Sequence, residues 1–392
     1  MNRPMNHPLA LVTVLIVVGL AAGAAASAAS LEEAATGGKE AFVCPPCGDA
    51  HDKTIYDQPG ACPVCGMRLV KKSGLAERRN VAILLFDGVQ IIDYTGPYEV
   101  FGQGGIFDVY TVSETGATLK TAMGMSVNPA HGFATVPKPD ILIVPGGDVT
   151  GPVGSAATVD WIRGVEKEAS YVMSVCNGAF ILAKAGLLEG KAATTFYGLI
   201  EDLKKQAPNT KVVSDQRWVD NGKVITSAGL SSGIDASLHL ISKIRGQARA
   251  RATALHLEYD WDPDSDFARA ALADRKFPDF APPDGATVEL VSTEGTREEW
   301  TTKYEVRSTL SSAQLAGEIR SGVRRDGLWR EAPRQASGGG LESVWTRVDD
   351  EGAAWEFTAV VEGSAAESGP RIVTLHIEKG PKETSEARSA TP

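Results

Sequence analysis

Short apolar runs alternate with longer amphipathic stretches between residues 81 and 244. The short runs are typical of strands buried on both faces, and the longer stretches repeat their apolar residues with the period of a helix. This alternation predicts strand–helix–strand units around a parallel sheet with helices on both faces, which is an α/β domain. The predicted strands are 81–86, 141–144, 171–175 and 223–227, and a helix is predicted over 234–244.

The last hundred residues have a different pattern, in which strand-like alternation dominates. One stretch keeps helical spacing, with Leu315 and Ile319 on one face after Ser311 or Ser312, either of which suits an N-cap. We therefore expect a small α+β domain at 286–380, of unknown role, after an Asp- and Pro-rich linker at 262–285. The predicted strands are 287–291, 300–306, 344–348, 355–361 and 372–377.

The first thirty residues have the order of a secretory signal peptide. Arg3 and His7 precede an apolar run at 9–22, and small residues follow at 24–28. An uncleaved membrane anchor is the alternative, but the small residues and the lack of a basic stop favour cleavage. We therefore expect residues 1–30 to be a signal peptide and the protein to be exported, most simply to the periplasm.

Composition narrows the function classes further. The chain has 392 residues, enough for two or three domains, and a net charge of −10 from 39 basic and 49 acidic residues. An acidic chain without a basic block is a poor candidate for binding a phosphate backbone, so we expect no nucleic-acid partner. Five cysteines are too few for a disulfide scaffold at this length. Four of them lie between residues 44 and 65, and the fifth is Cys176.

A pattern of the form C-P-x-C-G occurs twice, at residues 44–48 and 62–66. In each copy the two thiolates converge on one point, so the pair predicts a tetrahedral site with four sulfur ligands. Such a site suits zinc before copper, and a pair of disulfides is the alternative in an exported protein. The expected metal ligands are Cys44, Cys47, Cys62 and Cys65.

The stretch 42–70, with P-G-A-C-P-V-C-G-M at 59–67, resembles the small heavy-metal-binding domain of bacterial metal-efflux proteins. That family usually has C-P-M-H-P in its first half, where this chain has Cys47 in place of the histidine and His51 close by. A segment this short cannot build a core, so a metal would supply its folding energy. We expect a metal-binding domain at 40–72.

Cys176 follows the predicted strand 171–175 directly and precedes a predicted helix. A thiol at such an elbow faces the amino end of the helix, which is expected to lower its pKa. Gly146 and Gly147 end a neighbouring strand, so their amides and that of Asn177 could stabilise a developing anion. The alternative is a buried structural cysteine.

Residues 79–270 resemble the ThiJ/PfpI superfamily, whose fold is that of the class I glutamine amidotransferases. The nearest branches are the isonitrile hydratases and the amidase-like sensor domains of AraC-type regulators. The matching stretches are F-D-G-V-Q-I-I-D-Y-T-G-P at 86–97, V-P-G-G at 144–147, S-V-C-N-G-A-F at 174–180, A-G-L-L-E-G-K-A-A-T-T at 185–195 and T-S-A-G at 226–229. The resemblance implies a flavodoxin-like parallel sheet with helices on both faces, and a homodimer formed through this domain.

By the same resemblance Cys176 is the nucleophile and Asp93 is the acid/base beside it. A buried carboxyl can hold a proton and deliver it to a substrate, although a turn carboxylate is the alternative for Asp93. The chain departs from the family in having Asn177 where the hydratases have Thr, and Phe196 where relatives often have His. No motif-matched histidine then remains to activate Cys176, and His131 and His239 are expected to be surface and packing residues.

Three functions follow from these residues. The first is an exported hydratase or hydrolase that attacks an isonitrile or amide through Cys176 and needs no cofactor for that step. The second is a ligand-binding or sensing protein linked to the metal site. The third is a thiol stress protein in which Cys176 cycles through sulfenic acid. The expected partners are a small molecule and a metal ion.

Overall fold

The computed structural model describes residues 41–44, 54–72, 78–332, 341–363 and 369–380. The predicted signal peptide and Cys47 lie outside these residues. The chain divides into two compact units, Met1–Leu75 and Ala76–Pro392. Within the described ranges, none of the helices combines the length and the apolar character that crossing a membrane requires.

The first unit is a small antiparallel sheet with a very small core. Its strands, in the spatial order β2-β1-β3, are β1 (Phe42–Val43), β2 (Ile55–Tyr56) and β3 (Val70–Lys71). Phe42, Leu69 and the buried cysteines Cys44 and Cys62 form its apolar centre. So few buried residues cannot outweigh the chain entropy lost on folding, so an additional stabilising element is required.

The second unit begins with an α/β region built on a seven-stranded sheet in the order β13-β14-β10-β9-β4-β5-β8. The strands of this region are β4 (Arg79–Leu84), β5 (Phe107–Ser113), β6 (Leu119–Lys120), β7 (Ser126–Val127), β8 (His131–Gly132), β9 (Ile141–Val144), β10 (Tyr171–Val175), β11 (Ala192–Ala193), β12 (Lys211–Val212), β13 (Trp218–Asp220) and β14 (Val224–Ser227). The predicted α/β fold is confirmed, with one correction: the sheet is mixed, because β13 runs antiparallel to β14. Residues 221–223 alone join these two strands, and a connection this short can only link antiparallel neighbours.

Helices cover both faces of this sheet, as predicted. They are α1 (Ile91–Gln103), α2 (Thr150–Gly154), α3 (Ala156–Glu168), α4 (Gly178–Lys184), α5 (Ile200–Gln206), α6 (Ser232–Arg245) and α7 (Gln247–His256). Alternate residues of β4 enter different cores, since Ile83 packs with residues of α1, α6 and α7 and Leu84 packs with residues of α3, α4 and α5. A strand buried on both faces explains why its sequence is continuously apolar.

The C-terminal region is a six-stranded antiparallel sheet, in the order β15-β16-β20-β19-β18-β17, with one helix packed on it. The elements are β15 (Thr287–Gly295), β16 (Glu299–Arg307), α8 (Ser312–Asp326), β17 (Arg330–Glu331), β18 (Leu341–Val348), β19 (Ala354–Glu362) and β20 (Arg371–Lys379). Ser311 caps α8 through a capping box with Gln314. Leu315 and Ile319 of α8 pack against a core that contains Trp345 and Phe357.

The segment predicted as a linker is partly folded into the second unit. Two short 3-10 turns, Arg269–Ala271 and Ala273–Lys276, lie in it. Ala273 is fully buried in the C-terminal core, and Phe277 and Phe280 pack against that core. The acidic and proline-rich composition of 262–285 concealed these apolar residues, which have a partner surface only once the sheet has formed.

Candidate active site and candidate metal centre

Cys176 occupies a sharp elbow between β10 and α4. Its φ is 57°, a left-handed conformation that is unfavourable for a residue with a side chain. The next turn depends on Gly178, because a Cβ there would lie 2.2 Å from the carbonyl oxygen of Val144. The elbow therefore brings the chain against the end of β9 and leaves Cys176 8% exposed at the carboxyl edge of the sheet.

The carboxyl group of Asp93 is held beside this sulfur by two backbone amides. Asp93 lies in the first turn of α1 and is fully buried. Its Oδ2 accepts a hydrogen bond from the Gly146 N–H at 3.2 Å, and its Oδ1 accepts one from the Leu230 N–H at 3.1 Å. The Cys176 thiol lies close enough to Asp93 for each group to shift the pKa of the other. The structure thus brings together the two residues that the sequence predicted as nucleophile and acid/base, whose catalytic roles stay predictions.

Burial controls the protonation of both groups. It raises the pKa of Asp93 to about 6, although the two amides and the thiol favour the charged form. Burial also raises the pKa of Cys176, the charge of Asp93 adds to this, and the Asn177 N–H opposes it. The prediction that the helix start lowers the pKa of the thiol is therefore wrong. The dipole of the seven-residue α4 is outweighed by desolvation and by an adjacent carboxylate.

The Asn177 side chain forms two hydrogen bonds with the backbone of Gly147. The Gly147 N–H donates to Asn177 Oδ1 at 2.8 Å, and Asn177 Nδ2 donates to the Gly147 carbonyl, also at 2.8 Å. The Gly147 amide that was predicted to stabilise an anion is thus already occupied by a side chain, and the neighbouring Gly146 amide binds Asp93. The backbone N–H that faces the sulfur is that of Asn177.

Two contributors to the site were missed in the sequence, and the role of a third differs from the predicted one. The missed groups are the Leu230 N–H and the Thr195 hydroxyl, which donates to the Cys176 carbonyl at 3.0 Å. The Gly146 N–H, predicted to stabilise an anion, donates to Asp93 instead. Residue type does not show which backbone N–H groups face a site, because nearly every residue has one. The only indication in the sequence was that Leu230 follows the predicted strand 223–227, which places it at the edge of the sheet. Leu230 itself has a positive φ of 58°, which turns its amide toward Asp93.

The two histidines considered from the sequence lie elsewhere. His131 is on β8, at the far edge of the sheet and four strands from β10, where it packs edge-on against Tyr110. His239 on α6 binds Asp220 of β13, with Nε2 to Oδ2 at 2.8 Å. Both positions agree with the surface and packing roles expected of them.

A cavity of about 370 Å³ lies at the same edge of the sheet, beyond the ends of β4 and β5. Its lining includes Asp87, Glu114 and Ser155 but not Cys176. Glu114 is already engaged there, because its Oε2 accepts hydrogen bonds from Ser155 and Thr158 at 2.8 and 3.2 Å. The buried thiol–carboxyl pair is therefore a better guide to the chemistry than cavity size.

Three cysteines of the first unit converge as a metal site requires. The sulfurs of Cys44, Cys62 and Cys65 all lie within 4.8 Å of one another, and those of Cys44 and Cys65 are 3.3 Å apart. A tetrahedral zinc site places its sulfurs about 3.8 Å apart, so these residues fit such an ion. The predicted fourth ligand, Cys47, lies outside the described residues, and the described cysteines are free thiols rather than disulfides.

Electrostatics in this cluster also suit a cation. Burial and the neighbouring sulfurs raise the pKa of Cys44. Burial acts in the same direction on Cys62, but the N–H groups of Cys65 and Val64 and the hydroxyl of Tyr56 outweigh it and bring the pKa to about 6. Thiols crowded together resist simultaneous ionisation unless a positive ion is bound between them.

Comparisons with known proteins assign both units. The profile of the DJ-1/PfpI family matches residues 79–243, and that of the heavy metal binding domain matches residues 41–72. Isonitrile hydratase of Pseudomonas putida is 34% identical over 171 residues, which are 43% of this chain and 72% of the relative. The HTH-type transcriptional regulator CdhR of Pseudomonas aeruginosa is 29% identical over 168 residues, which are 42% of this chain and 50% of the regulator.

One solved structure is also similar to part of this chain. A ThiJ/PfpI family protein from Pseudomonas syringae is 29% identical and aligns with a TM-score of 0.44. The alignment covers 48% of this chain and 78% of that protein. Neither of the two matched profiles includes residues 286–380.

Proposed function

The chain belongs to the DJ-1/PfpI family, and on that premise we propose that it is an exported, periplasmic cysteine enzyme that hydrates or hydrolyses a small C–N substrate. An isonitrile is the favoured substrate class, with an amide as the alternative. The observation that carries this proposal is the fully buried Asp93 carboxyl, which lies beside the Cys176 thiol and has its pKa raised to about 6. A carboxyl that is half protonated near pH 6 can both take and give a proton.

The pair supports a balanced two-step reaction. As the sulfur of Cys176 bonds to the terminal carbon of the isonitrile, the thiol proton passes to Asp93 and from Asp93 to that carbon. The product is a thioimidate, R–N=CH–S–Cys176. Water then adds to the same carbon, the C–S bond breaks, and the sulfur recovers a proton through Asp93. The net result is one isonitrile and one water converted to an N-substituted formamide.

The engaged Gly147 amide favours the isonitrile over the amide. Attack on an amide builds negative charge on oxygen, which requires free N–H donors. Here the Gly147 N–H already donates to Asn177, and the Gly146 N–H donates to Asp93. Addition of the thiol to an isonitrile delivers the proton to carbon and forms a neutral intermediate, so its first step needs no such donor.

Turnover of a simple alkyl isonitrile by the purified protein, followed as formamide formation, tests the proposal. We expect Cys176→Ala to abolish turnover and Asp93→Asn to lower kcat about 100-fold or more, with the fold unchanged by circular dichroism. Wild-type protein without turnover of isonitriles and amides, or turnover that survives Asp93→Asn, would overturn it.

Ligand binding without turnover is the second candidate, and the engaged glycine amides together with the raised thiol pKa favour it. In this function the α/β region binds a small molecule, and the cysteine cluster senses or buffers a metal ion. Ligand affinity should then differ between metal-loaded and metal-free protein. An affinity that is independent of metal would remove this candidate.

We further propose that the cysteine cluster binds zinc, with copper as the alternative. Cys44, Cys62 and Cys65 would supply three thiolates and Cys47 the fourth, and the ion would hold the small first unit together. Metal analysis of the purified protein tests this proposal. The homodimer expected from the family resemblance is likewise a proposal, which sedimentation measures directly.

A further inference from the structure

The aromatic ring of Phe196 and the sulfur of Cys176 lie on the same side of Gly229. A methyl group built on Gly229 would lie 2.6 Å from Phe196 Cδ2 and 3.3 Å from Cys176 Sγ, so the ring edge and the sulfur border the same glycine. The preceding residue is tied to the elbow, since the Thr195 hydroxyl donates to the Cys176 carbonyl at 3.0 Å. Phe196 thus lies beside Cys176 at Gly229, and we call its ring the wall of the Cys176 site.

Tyr197 connects this wall to two arginines. Its ring lies 4.4 Å from that of Phe196, centroid to centroid. The guanidinium groups of Arg269 and Arg275 lie 4.8 and 4.9 Å from the Tyr197 ring centroid, within the range of cation–π attraction. Arg269 is itself oriented by two hydrogen bonds to Asp274, at 2.7 and 2.6 Å.

The arginines belong to the segment that joins the α/β region to the C-terminal sheet. Ala273, between them in sequence, donates its N–H to the Thr296 carbonyl in the turn from β15 to β16. Arg269 also lies 5.9 Å from the ring centroid of Trp300 on β16. The C-terminal sheet therefore sets the position of this segment. The arginines of the segment contact Tyr197, and Tyr197 contacts Phe196.

We propose that segment 269–276, held by the C-terminal sheet, positions Phe196 through Tyr197 and so sets which substrates reach Cys176. Phe196 is the specificity-determining residue, and Arg269 and Arg275 are positioning residues that act through Tyr197. A flat apolar ring with no hydrogen-bond donor favours substrates whose nitrogen carries a compact apolar group. The substrate preference rests on the proposed function, whereas the positioning role concerns access to the sulfur alone.

Alkylation of Cys176 by a small and by a bulky reagent tests this arrangement without requiring turnover. Iodoacetamide and a bulky aryl maleimide would each be reacted with metal-loaded full-length protein, and labelling of Cys176 followed by peptide mass spectrometry. We expect Phe196→Ala, and the double variant Arg269→Ala/Arg275→Ala, each to raise the ratio of bulky to small labelling rates about fivefold, from the loss of about 1 kcal/mol of ring contacts. The triple variant that combines these changes should raise the ratio no further than Phe196→Ala alone, because all the changes act through the Phe196 ring.

Control variants distinguish the positioning of Phe196 from a general loss of stability in the protein. Arg347→Ala removes a guanidinium that lies 5.6 Å from the Trp329 ring centroid inside the C-terminal region, so it should leave the ratio unchanged. Tyr197→Phe keeps the ring and should preserve the wild-type ratio, whereas Tyr197→Leu should raise it. An unchanged ratio in the double arginine variant and in Tyr197→Leu, or an equal rise in Arg347→Ala, would overturn the positioning role. An unchanged ratio in Phe196→Ala would overturn the wall itself. Failure of the isonitrile assay alone would leave both in place.

Discussion

The Cys176 site and the cysteine cluster of the first unit both contain buried cysteines, but the groups beside those cysteines differ. Cys176 is 8% exposed, and Cys44 and Cys62 are 1% and 2% exposed. The partner of Cys176 is a buried carboxyl group, whereas the partners of Cys44 and Cys62 are other sulfurs. A carboxyl beside a thiol leaves one proton to be shared between two groups. Sulfurs beside sulfurs leave negative charge that only a cation can neutralise.

The two sites also differ in what builds them. The elbow is set by a strand, a helix and the close packing of glycines in a large double-sided core, so it exists before any ligand arrives. The cluster sits in a unit whose described residues include four that form a buried apolar centre. From this difference we expect the elbow to be robust to ligand removal and fragile to packing changes, and the cluster to behave in the opposite way.

Removal of the metal should have the largest effect, and only in the first unit. A chelator is expected to unfold residues 41–72, since the binding free energy of a structural zinc is folding free energy in so small a unit. The measurement is thiol labelling by mass: the cluster cysteines should become reactive after chelation, while the labelling rate of Cys176 stays the same. Cys176→Ala serves as the control for assignment. Cluster thiols that react equally fast with and without chelator would contradict the metal site.

A single methyl group at the elbow should have the next largest effect. In Gly178→Ala the new Cβ would meet the Val144 carbonyl oxygen at 2.2 Å, so we expect a loss of about 3 kcal/mol or more of unfolding free energy. Gly164→Ala in α3 is the matched control, because nothing lies within 4 Å of its Cβ and alanine favours the helix by about 1 kcal/mol. Equal stability of the two variants in urea unfolding would show that the elbow is not held by this close contact.

The buried carboxyl should give the smallest of the three effects, visible as a pH dependence. Folding raises the pKa of Asp93 from its usual 3.8 to about 6, so its contribution to stability is present below about pH 4 and is lost as the pH rises through 6. Wild type should lose about 2 kcal/mol relative to Asp93→Asn between pH 4 and 7. Urea unfolding of both proteins across this range measures the difference. A constant difference, or one that grows in favour of wild type, would show that Asp93 is not desolvated.

The sequence predicted most of the fold because its apolar periodicity was strong. The strand at 171–175 has the predicted bounds, and the helix predicted at 234–244 is α6, Ser232–Arg245. Strand β17 escaped notice because it is an edge strand of two residues, Arg330–Glu331, with no apolar alternation. The folded part of 262–285 was missed because its apolar residues are spaced irregularly and find their partners only in the C-terminal core.

The sequence predicted which residues form the site better than it predicted their pKa shifts and hydrogen bonds. Asp93 and Cys176 were paired through the family resemblance, and the structure places them close enough for each to shift the pKa of the other. The direction of the thiol pKa shift was not available from the sequence, because it depends on desolvation and on the orientation of a carboxyl far away along the chain. The hydrogen bonds between Asn177 and Gly147 depend on a side-chain orientation, which residue type alone does not specify.

The rate of iodoacetamide labelling of Cys176 against pH, in metal-loaded wild type and in Asp93→Asn, tests the central pairing most directly. The account predicts an apparent pKa above the free-thiol value of about 8.5 in wild type, because burial and the charge of Asp93 both oppose the thiolate. Asp93→Asn removes the charge and should lower this pKa. A wild-type pKa below the free value, or one that Asp93→Asn does not move, would contradict the shared-proton pair on which the proposed chemistry depends.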